Sequence, residues 1–407
     1  MKKSSLLALT AGLLAFGAGM RGVLSAAQEN QEKPAAVSIP ANPLPPLEGP
    51  YPVGTREYFW VDEKSPELYT SDPADKRHLM VQVWYPAEAD PGAELAPYIT
   101  NPREFGDRKE YKSVVHVKTR SVLDAPLSKK ERRYPVLIYN HGGGWARFTS
   151  SFQTEALASH GYIVFSIDHT GFSLTSVFPD GYKFVNDALK MPEPTGNPRN
   201  DIVASWKYLD GRPFSLWVRD IVFVLDQVQK LNETPGEIFR GKLDLKKIGS
   251  LGWSFGGAAS VQAAKDDRRI RAVVDCDGQL FGNVRETGID VPVMLMHGEM
   301  ETPPPDQIDP QVFQGLIDEL KATEAQFLAK SRGDRYELTI RGARHGHFSD
   351  LVVFYPQSPK DIPARRGHEI INAYSLAFFD KHLKGTGGEL LERIPSPYPE
   401  VDFAKKK

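Results

Sequence analysis

Two near-continuous apolar runs constrain the fold of this chain more than any other feature. Residues 135–140 read PVLIYN and residues 162–169 read YIVFSIDH, which is typical of strands buried on both faces of a sheet. Between them lies a helical stretch over 152–160, which Gly161 ends at a C-cap position. Strand, helix and strand in this order predict a βαβ unit with parallel strands.

The same alternation continues toward the C-terminus. Short β-rich runs at 55–61 and 78–85 precede the βαβ unit, and a long amphipathic helix is predicted over 214–231 after it. The other predicted strands cover 247–252, 270–275, 291–297 and 336–340, and the other predicted helices cover 256–264, 311–330 and 366–383. This order predicts an α/β protein with a doubly wound, mostly parallel sheet and helices on both faces.

Two stretches fit the alternation poorly. Residues 89–133 are polar and contain prolines, and residues 173–212 mix glycine, proline and aromatic residues without a clear period. Long irregular segments in compact domains are usually functional loops or surface insertions. We expect 173–212 to form an inserted, lid-like segment, with an insertion of no role as the alternative. The domain is predicted over 51–390, followed by a C-terminal tail over 391–407.

The N-terminus has the pattern of a secretory signal peptide. A pair of lysines precedes an apolar run over 6–20 and small residues at 25–27. The run is shorter than the roughly 20 residues that a membrane-spanning helix needs. We expect a signal peptide over 1–27, a proline-rich linker over 28–50, and an exported protein that is periplasmic or extracellular. An uncleaved N-terminal anchor is the alternative.

Charge and cysteine content exclude several classes of function. Lys and Arg number 50 against 52 Asp and Glu, for a net charge of -2, so there is no basic excess to neutralise nucleic-acid phosphates. The single cysteine, Cys276, can form neither an intramolecular disulfide nor a thiolate zinc site. We therefore expect neither a nucleic-acid-binding protein nor a disulfide scaffold.

A G-x-S-x-G motif carries the strongest chemical signal. Residues 252–257 read GWSFGG, directly after a predicted strand and directly before a small-residue helix. In that context the serine sits on a tight strand-to-helix turn, with its hydroxyl exposed at the end of the sheet. Ser254 is therefore the candidate nucleophile.

A serine hydroxyl needs a histidine to take its proton and an acid to orient that histidine. In a fold with this motif the chain order is serine, acid, histidine. His345 lies in the loop after the last predicted strand and is preferred over His347, two residues on. Asp277 and Glu301 follow successive strands, and spacing alone leaves them level as the acid.

The developing oxyanion needs hydrogen-bond donors. Residues 141–145 read HGGGW directly after the strand at 135–140, and an HGGG run there matches the oxyanion loop of lipases and esterases. The backbone N–H groups of Gly143 and Phe255 are the predicted donors.

Six stretches carry a resemblance to a known family. They are VQVWYPAE at 81–88, PVLIYNHGGG at 135–144, LASHGYIV at 157–164, GWSFGG at 252–257, CDGQLFG at 276–282 and TIRGARHGHFSD at 339–350. Together they resemble the secreted, calcium-independent platelet-activating factor acetylhydrolases, within the dienelactone-hydrolase-like group of α/β-hydrolases. The resemblance implies the α/β-hydrolase fold, and it favours Asp277 over Glu301 and His345 over His347.

The resemblance also implies an activity. It indicates a serine carboxylic-ester hydrolase that acts through an acyl-serine on short-acyl esters, including short-acyl phospholipids such as 1-alkyl-2-acetylglycerophosphocholine. It implies no metal and no organic cofactor, and it is compatible with peripheral contact at a lipid surface. The alternatives are a polyester or dienelactone-type hydrolase, a serine peptidase, and a catalytically inactive binding protein on the same fold.

Overall fold

The computed structural model describes residues 39, 42–90, 92–101, 112–185, 191–300, 305, 308–355 and 358–406. Within these residues, eleven strands form one sheet and two further strands form a separate hairpin. The predicted signal peptide and residues 28–38, 40 and 41 of the predicted linker lie outside the described residues.

The elements follow the alternation that the sequence predicts. The strands are β1 (Val53–Pro66), β2 (Lys76–Pro86), β3 (Leu95–Pro97), β4 (Lys118–Leu123), β5 (Tyr134–Asn140), β6 (Ile163–Asp168), β7 (Thr175–Val177), β8 (Lys183–Val185), β9 (Leu243–Trp253), β10 (Ile270–Cys276), β11 (Val293–Gly298), β12 (Arg335–Ile340) and β13 (Val401–Lys406). The helices are α1 (Ser151–Ser159), α2 (Pro198–Leu209), α3 (Arg212–Glu233), α4 (Phe255–Asp266), α5 (Val284–Thr287), α6 (Pro310–Lys330), α7 (Leu351–Phe354) and α8 (Ala364–Phe379). Short 3-10 helices cover His345–Phe348 and Glu389–Glu392, and a π-helical turn covers Asp380–Lys384.

The large sheet is mostly parallel. Its order is β13-β12-β11-β10-β9-β5-β6-β2-β1-β4-β3. The six strands from β12 to β6 in this order pair in parallel, whereas β2 joins β6, and β13 joins β12, in antiparallel pairing. The predicted α/β class with a mostly parallel sheet is confirmed.

Helices cover both faces of the sheet. Alternate residues of a strand point to opposite faces, and β5 shows the consequence. Val136 and Ile138 pack in the core cluster that includes α3 and α4, whereas Leu137 and Tyr139 pack in the cluster that includes α1 and α8. All four side chains are fully buried, which is why this strand reads as a continuous apolar run.

The topology brings the candidate site residues to one edge of the sheet. Parallel strands carry their carboxyl ends at the same edge, which is where ligands bind in open α/β sheets. Ser254 follows β9, Asp277 follows β10, His345 follows β12, and the loop 141–145 follows β5. Four segments far apart in the chain therefore meet at this edge.

The C-terminal segment differs from the expected tail. Residues 391–407 are predicted to be a tail, but β13 extends the sheet, with Val401 opposite Ile340 and Lys406 opposite Arg335. The physical reason is that β12 would otherwise present unpaired backbone groups at the sheet edge.

The described part of the predicted linker also packs against the domain. Leu44 is buried in a cluster with Trp84 and Phe148, and its carbonyl accepts a hydrogen bond from the Arg120 guanidinium (2.6 Å). Proline-rich chain keeps its carbonyls unpaired, so they remain available to a side-chain donor of the domain.

The predicted lid-like segment over 173–212 contains regular structure. It includes the β7–β8 hairpin, with β7 fully buried, and α2, while residues 186–190 lie outside the described part. No helix among the described residues is both long and apolar enough to span a bilayer.

Candidate active site

Ser254 occupies the turn between β9 and α4. Its φ of 58° and ψ of -124° put a non-glycine residue in a strained conformation, which is typical of functional turns. The backbone N–H of Ser254 donates to the carbonyl of Cys276 (2.9 Å), and the serine is 7% exposed. The turn thus presents the candidate nucleophile at the carboxyl end of β9.

The glycines of the motif are required by close approach. A Cβ atom on Gly252 would lie 2.4 Å from the carbonyl carbon of Gly256, and one on Gly256 would lie 2.2 Å from the carbonyl oxygen of Asn140. Both separations are far below van der Waals contact distances. The turn, α4 and the end of β5 therefore pack too tightly for any side chain at these two positions.

Asp277 directly follows β10 and also has a positive φ, of 58°. One carboxylate oxygen accepts the N–H of Gly298 (2.9 Å), and the other lies 2.6 Å from Nδ1 of His345. Burial alone would raise the pKa of the Asp277 carboxyl, but the hydrogen bond and charge of His345 outweigh it and hold the pKa below its usual value. Asp277 is therefore ionised and oriented toward His345.

His345 begins the 3-10 helix after β12. Because Nδ1 donates to the Asp277 carboxylate, Nε2 of the neutral ring carries the lone pair that a general base needs. Nε2 is buried and has no hydrogen-bond partner among the described residues. The ring centroid lies 5.1 Å from that of Trp253, the residue before Ser254. The structure thus brings His345 and Asp277 together beside the turn of Ser254.

The competing candidates are placed differently. Both ring nitrogens of His347 are hydrogen-bonded to backbone, since Nδ1 accepts the N–H of Arg344 and Nε2 donates to the carbonyl of Ile362 (both 2.9 Å). Burial also lowers the pKa of His347. His347 therefore has no lone pair to offer a nucleophile. Glu301 lies outside the described residues.

The backbone N–H groups of the oxyanion loop differ in whether they have an acceptor. The N–H of Gly144 donates to the carbonyl of Phe172 (2.8 Å), and the N–H of Trp145 donates to that of Gly142 (3.1 Å). The N–H of Gly143, between them, has no acceptor in the part of the chain that the structure describes. Phe255 is the first residue of α4, where the helix dipole favours negative charge.

A second carboxyl lies buried beneath the site. Asp275 is 2% exposed, and its Oδ1 accepts the N–H of Gly278 (2.9 Å). Burial, and then the charge of Glu324, raise the pKa of Asp275 well above its usual value. A Cβ atom on Gly257 would lie 1.9 Å from Oδ1. The Asp275 carboxyl therefore packs directly against the first turn of α4.

Sequence reasoning missed a buried polar network behind the oxyanion loop. Asp220 of α3 accepts from Nδ1 of His169 (2.9 Å) and from the Arg77 guanidinium (2.7 and 3.0 Å). A signal was available, because Asp220 interrupts the apolar face of α3 between Trp217 and Ile221, both fully buried. An acidic residue in a core-facing helical position needs a partner.

The fold and the site geometry define the chain as an α/β-hydrolase. The strand-to-helix serine turn, the histidine after the last parallel strand and the glycine-rich loop after β5 all occupy the places characteristic of this class. The sequence profile of the family described as platelet-activating factor acetylhydrolase, isoform II, matches residues 36–184 and 228–387. The chain belongs to this family, as the sequence motifs predict.

Individual relatives agree with the family. The chain is 27% identical over 287 residues to a probable 1-alkyl-2-acetylglycerophosphocholine esterase of Arthroderma benhamiae, covering 66% of each chain. It is 25% identical over 386 residues to platelet-activating factor acetylhydrolase of Canis lupus familiaris, covering 86% of this chain and 79% of the relative. A solved ferulic acid esterase from Streptomyces cinnamoneus is similar with a TM-score of 0.68 and 25% identity, covering 88% of this chain and 98% of that one. These similarities place the chain among carboxylic-ester hydrolases.

Proposed function

We propose that the protein hydrolyses short-acyl carboxylic esters through an acyl-serine intermediate. The observation that carries the proposal is the 2.6 Å hydrogen bond between Asp277 and Nδ1 of His345, combined with an unpartnered Nε2 beside the strained turn of Ser254. This arrangement supplies a base of the correct tautomer beside the turn that carries the proposed nucleophilic hydroxyl.

Each proposed residue has one role in the reaction. Nε2 of His345 removes the proton of the Ser254 hydroxyl as its oxygen attacks the ester carbonyl carbon. The resulting imidazolium gives that proton to the departing alcohol oxygen, which leaves an acyl-serine. Water, deprotonated by the same Nε2, then attacks the acyl carbon. The bond to the Ser254 oxygen breaks, the imidazolium returns its proton to that oxygen, and the acid is released. Asp277 stays ionised throughout and stabilises the imidazolium.

The oxyanion of each tetrahedral intermediate would be held by two backbone donors. We assign these to the N–H groups of Gly143 and Phe255. Support comes from the unpaired N–H of Gly143 and from the position of Phe255 at the N-terminus of α4. A preorganised donor of this kind is worth about 100- to 1000-fold in kcat.

We infer a phospholipid with a short acyl chain as the substrate class. The fungal relative's name specifies a 1-alkyl-2-acetylglycerophosphocholine, whose acetyl ester is the bond that the proposed chemistry would cleave. A second candidate class is aromatic acyl esters, because the similar solved structure is a ferulic acid esterase. The two classes differ in the acyl group, so acyl preference separates them.

Export and contact with a lipid surface complete the proposal. The N-terminal leader pattern supports transport out of the cytoplasm. A phospholipid substrate would be met at a membrane or particle surface, which supports peripheral contact there.

The test combines active-site labelling with a substrate panel. A fluorophosphonate probe is expected to label the full chain, and Ser254→Ala is expected to abolish both labelling and hydrolysis. The panel compares p-nitrophenyl esters of increasing acyl length, a 2-acetyl phospholipid, methyl ferulate and an aminoacyl anilide. Acetyl esters are expected to be turned over fastest.

Preference for methyl ferulate would move the substrate to the second class, and faster amide than ester turnover would make the protein a peptidase. Labelling that survives in Ser254→Ala would overturn the nucleophile, and a wild type without labelling or turnover would indicate an inactive binding protein.

A further inference from the structure

The polar network behind the oxyanion loop is not used by the proposed mechanism. It runs from the guanidinium of Arg77 through Asp220 to His169, and from there to His141 and Ser173. Every one of these side chains is at most 2% exposed. Burying so many polar groups is costly unless each is hydrogen-bonded. A satisfied buried network of this kind holds the segments that it joins in place.

The hydrogen bonds of His141 fix its tautomer. Nε2 lies 2.9 Å from the hydroxyl oxygen of Ser173 and accepts the backbone N–H of His169 (3.3 Å). A ring nitrogen that accepts a backbone N–H cannot carry a proton, so the proton of the neutral ring is on Nδ1. Burial, and then the charge of His169, lower the pKa of His141 to about 3. The ring is therefore neutral, with Nδ1 as the donor.

That donor acts on the oxyanion loop. Nδ1 of His141 lies 2.6 Å from the carbonyl oxygen of Gly142, which also accepts the N–H of Trp145 (3.1 Å). In a planar trans peptide the carbonyl and the following N–H point in opposite directions. Tying down the carbonyl of Gly142 thus turns the N–H of Gly143 away from His141.

The same peptide is packed on the nucleophile side. A Cβ atom on Gly142 would lie 2.7 Å from the indole ring of Trp253, the residue that precedes Ser254. The loop glycines leave the Gly142–Gly143 peptide free to rotate by itself. The contacts of the Gly142 carbonyl with His141 and Trp145 therefore decide which way the N–H of Gly143 points.

The rest of the network holds the His141 ring. The rings of His169 and Trp217 are stacked, with centroids 3.8 Å apart and planes at 10°, and Trp217 also packs edge-on against His141 at 5.1 Å. His169 is held by Asp220, which forms a two-bond contact with Arg77. His169 also donates the backbone N–H that fixes the tautomer of His141, so the packing of His169 and its bond to Asp220 hold that donor in place.

We propose that His141 is a positioning residue for the oxyanion hole. Its Nδ1–H holds the Gly142–Gly143 peptide so that the N–H of Gly143 faces the reacting carbonyl, and the unit of His169, Asp220 and Arg77 keeps the His141 ring in place. The inference rests on the proposed ester hydrolysis, because only that reaction gives the Gly143 donor a role.

Steady-state kinetics with a boronic acid inhibitor test the proposal. His141→Ala is expected to lower kcat for p-nitrophenyl acetate by about 10- to 100-fold, because one oxyanion donor is no longer fixed. KM should change by less than about threefold, and the affinity for the boronic acid, whose tetrahedral adduct mimics the intermediate, should fall in parallel with kcat.

His141→Asn places an amide N–H near the position of Nδ1 and is expected to recover part of kcat. The matched control is His382→Gln, which removes a largely buried imidazole that contacts the Tyr336 hydroxyl and should leave kcat unchanged.

The outcomes separate this inference from the proposed function. If His141→Ala keeps kcat and boronic acid affinity within about threefold of wild type, the positioning role is overturned while the esterase proposal stands. If the wild type neither turns over esters nor reacts with a fluorophosphonate, both are overturned. Should His141→Ala fail to fold, Ser173→Ala removes one contact of Nε2 and is expected to lower kcat and boronic acid affinity together, by about fivefold. Unchanged values in Ser173→Ala would then overturn the inference.

Discussion

Two histidine–aspartate pairs lie at the carboxyl edge of the sheet, and they are built differently. In both, Nδ1 of the histidine contacts a carboxylate, at 2.6 Å in His345–Asp277 and at 2.9 Å in His169–Asp220. The first pair is partly exposed, with Nε2 of the histidine unpartnered among the described residues. The second is fully buried, and Nε2 of its histidine lies 3.1 Å from the side-chain amide of Asn140.

A histidine–carboxylate pair therefore does not by itself define a catalytic role. A general base needs an available lone pair, and the unpartnered Nε2 of His345 offers one among the described residues. His169 has both nitrogens engaged, and its carboxylate partner is also bound by Arg77. The first pair is suited to proton transfer and the second to holding structure.

Asp277→Asn should have the largest effect and tests the first half of this comparison. In asparagine the amide oxygen is expected to keep the N–H of Gly298 and the NH2 group to donate to Nδ1, so the ring is driven to the wrong tautomer, and kcat is expected to fall by about 10⁴-fold. Kinetics on p-nitrophenyl acetate measure the effect, and urea unfolding should show a smaller loss of stability than in Asp220→Asn. An Asp277→Asn enzyme with near wild-type kcat would move the catalytic acid elsewhere, with Glu301 as the next candidate.

Asp220→Asn tests the second half. Asp220 and Arg77 are buried together, so the substitution leaves a buried guanidinium with Glu67 as its remaining ion-pair partner. Breaking a buried pair costs about 3 to 5 kcal/mol, which should appear as a lower urea midpoint with an unchanged slope. If stability is unaffected and kcat alone collapses, the roles we assign to the two pairs are reversed.

The fold was predictable because it depends on runs of residues. The buried parallel strands are continuous apolar segments, and the helices between them are indicated by their own sequence patterns. The positions of β5, β6 and most later elements can therefore be predicted from the sequence alone. The strand β13 cannot, because its sequence VDFAKK is polar at half of its positions. It pairs because an edge of β12 is available, and that is a property of the folded sheet.

The candidate site was predictable where a motif sets local geometry. Ser254 and the loop glycines lie in short motifs whose residue types indicate the backbone conformation that they adopt. Asp277, in contrast, could be preferred over Glu301 only through the family resemblance. The network of His169 and Asp220 was missed because its members are 51 residues apart. Side chains that pair across such distances become visible only once the packing of α3 on the sheet is known.

The buried carboxyl of Asp275 is expected to make the stability of the fold depend on pH. Its pKa is raised in the folded state by burial and by Glu324, so the folded protein binds a proton that the unfolded chain releases above about pH 4. Stability therefore falls as pH rises from there toward the folded pKa, by about 1.4 kcal/mol per pH unit. Asp275→Asn mimics the uncharged acid and should lack this slope. Parallel slopes for both proteins in urea unfolding between pH 5 and 7 would mean that Asp275 is ionised in the fold.

An exposed ion pair provides the smallest expected effect and isolates burial as the cause. Arg366 and Glu400 form a two-bond contact (2.9 and 3.0 Å) as complete as that of Arg77 and Asp220, but both side chains are about a third exposed. Water then stabilises the Arg366 charge almost as well as the carboxylate does. Glu400→Gln should therefore lower the free energy of unfolding by less than about 1 kcal/mol, and 1 M salt should make this loss smaller still. The same hydrogen-bond geometry would thus contribute several-fold less at the surface than behind the oxyanion loop. A loss in Glu400→Gln equal to that in Asp220→Asn would show that geometry, and not burial, sets the cost of breaking these pairs.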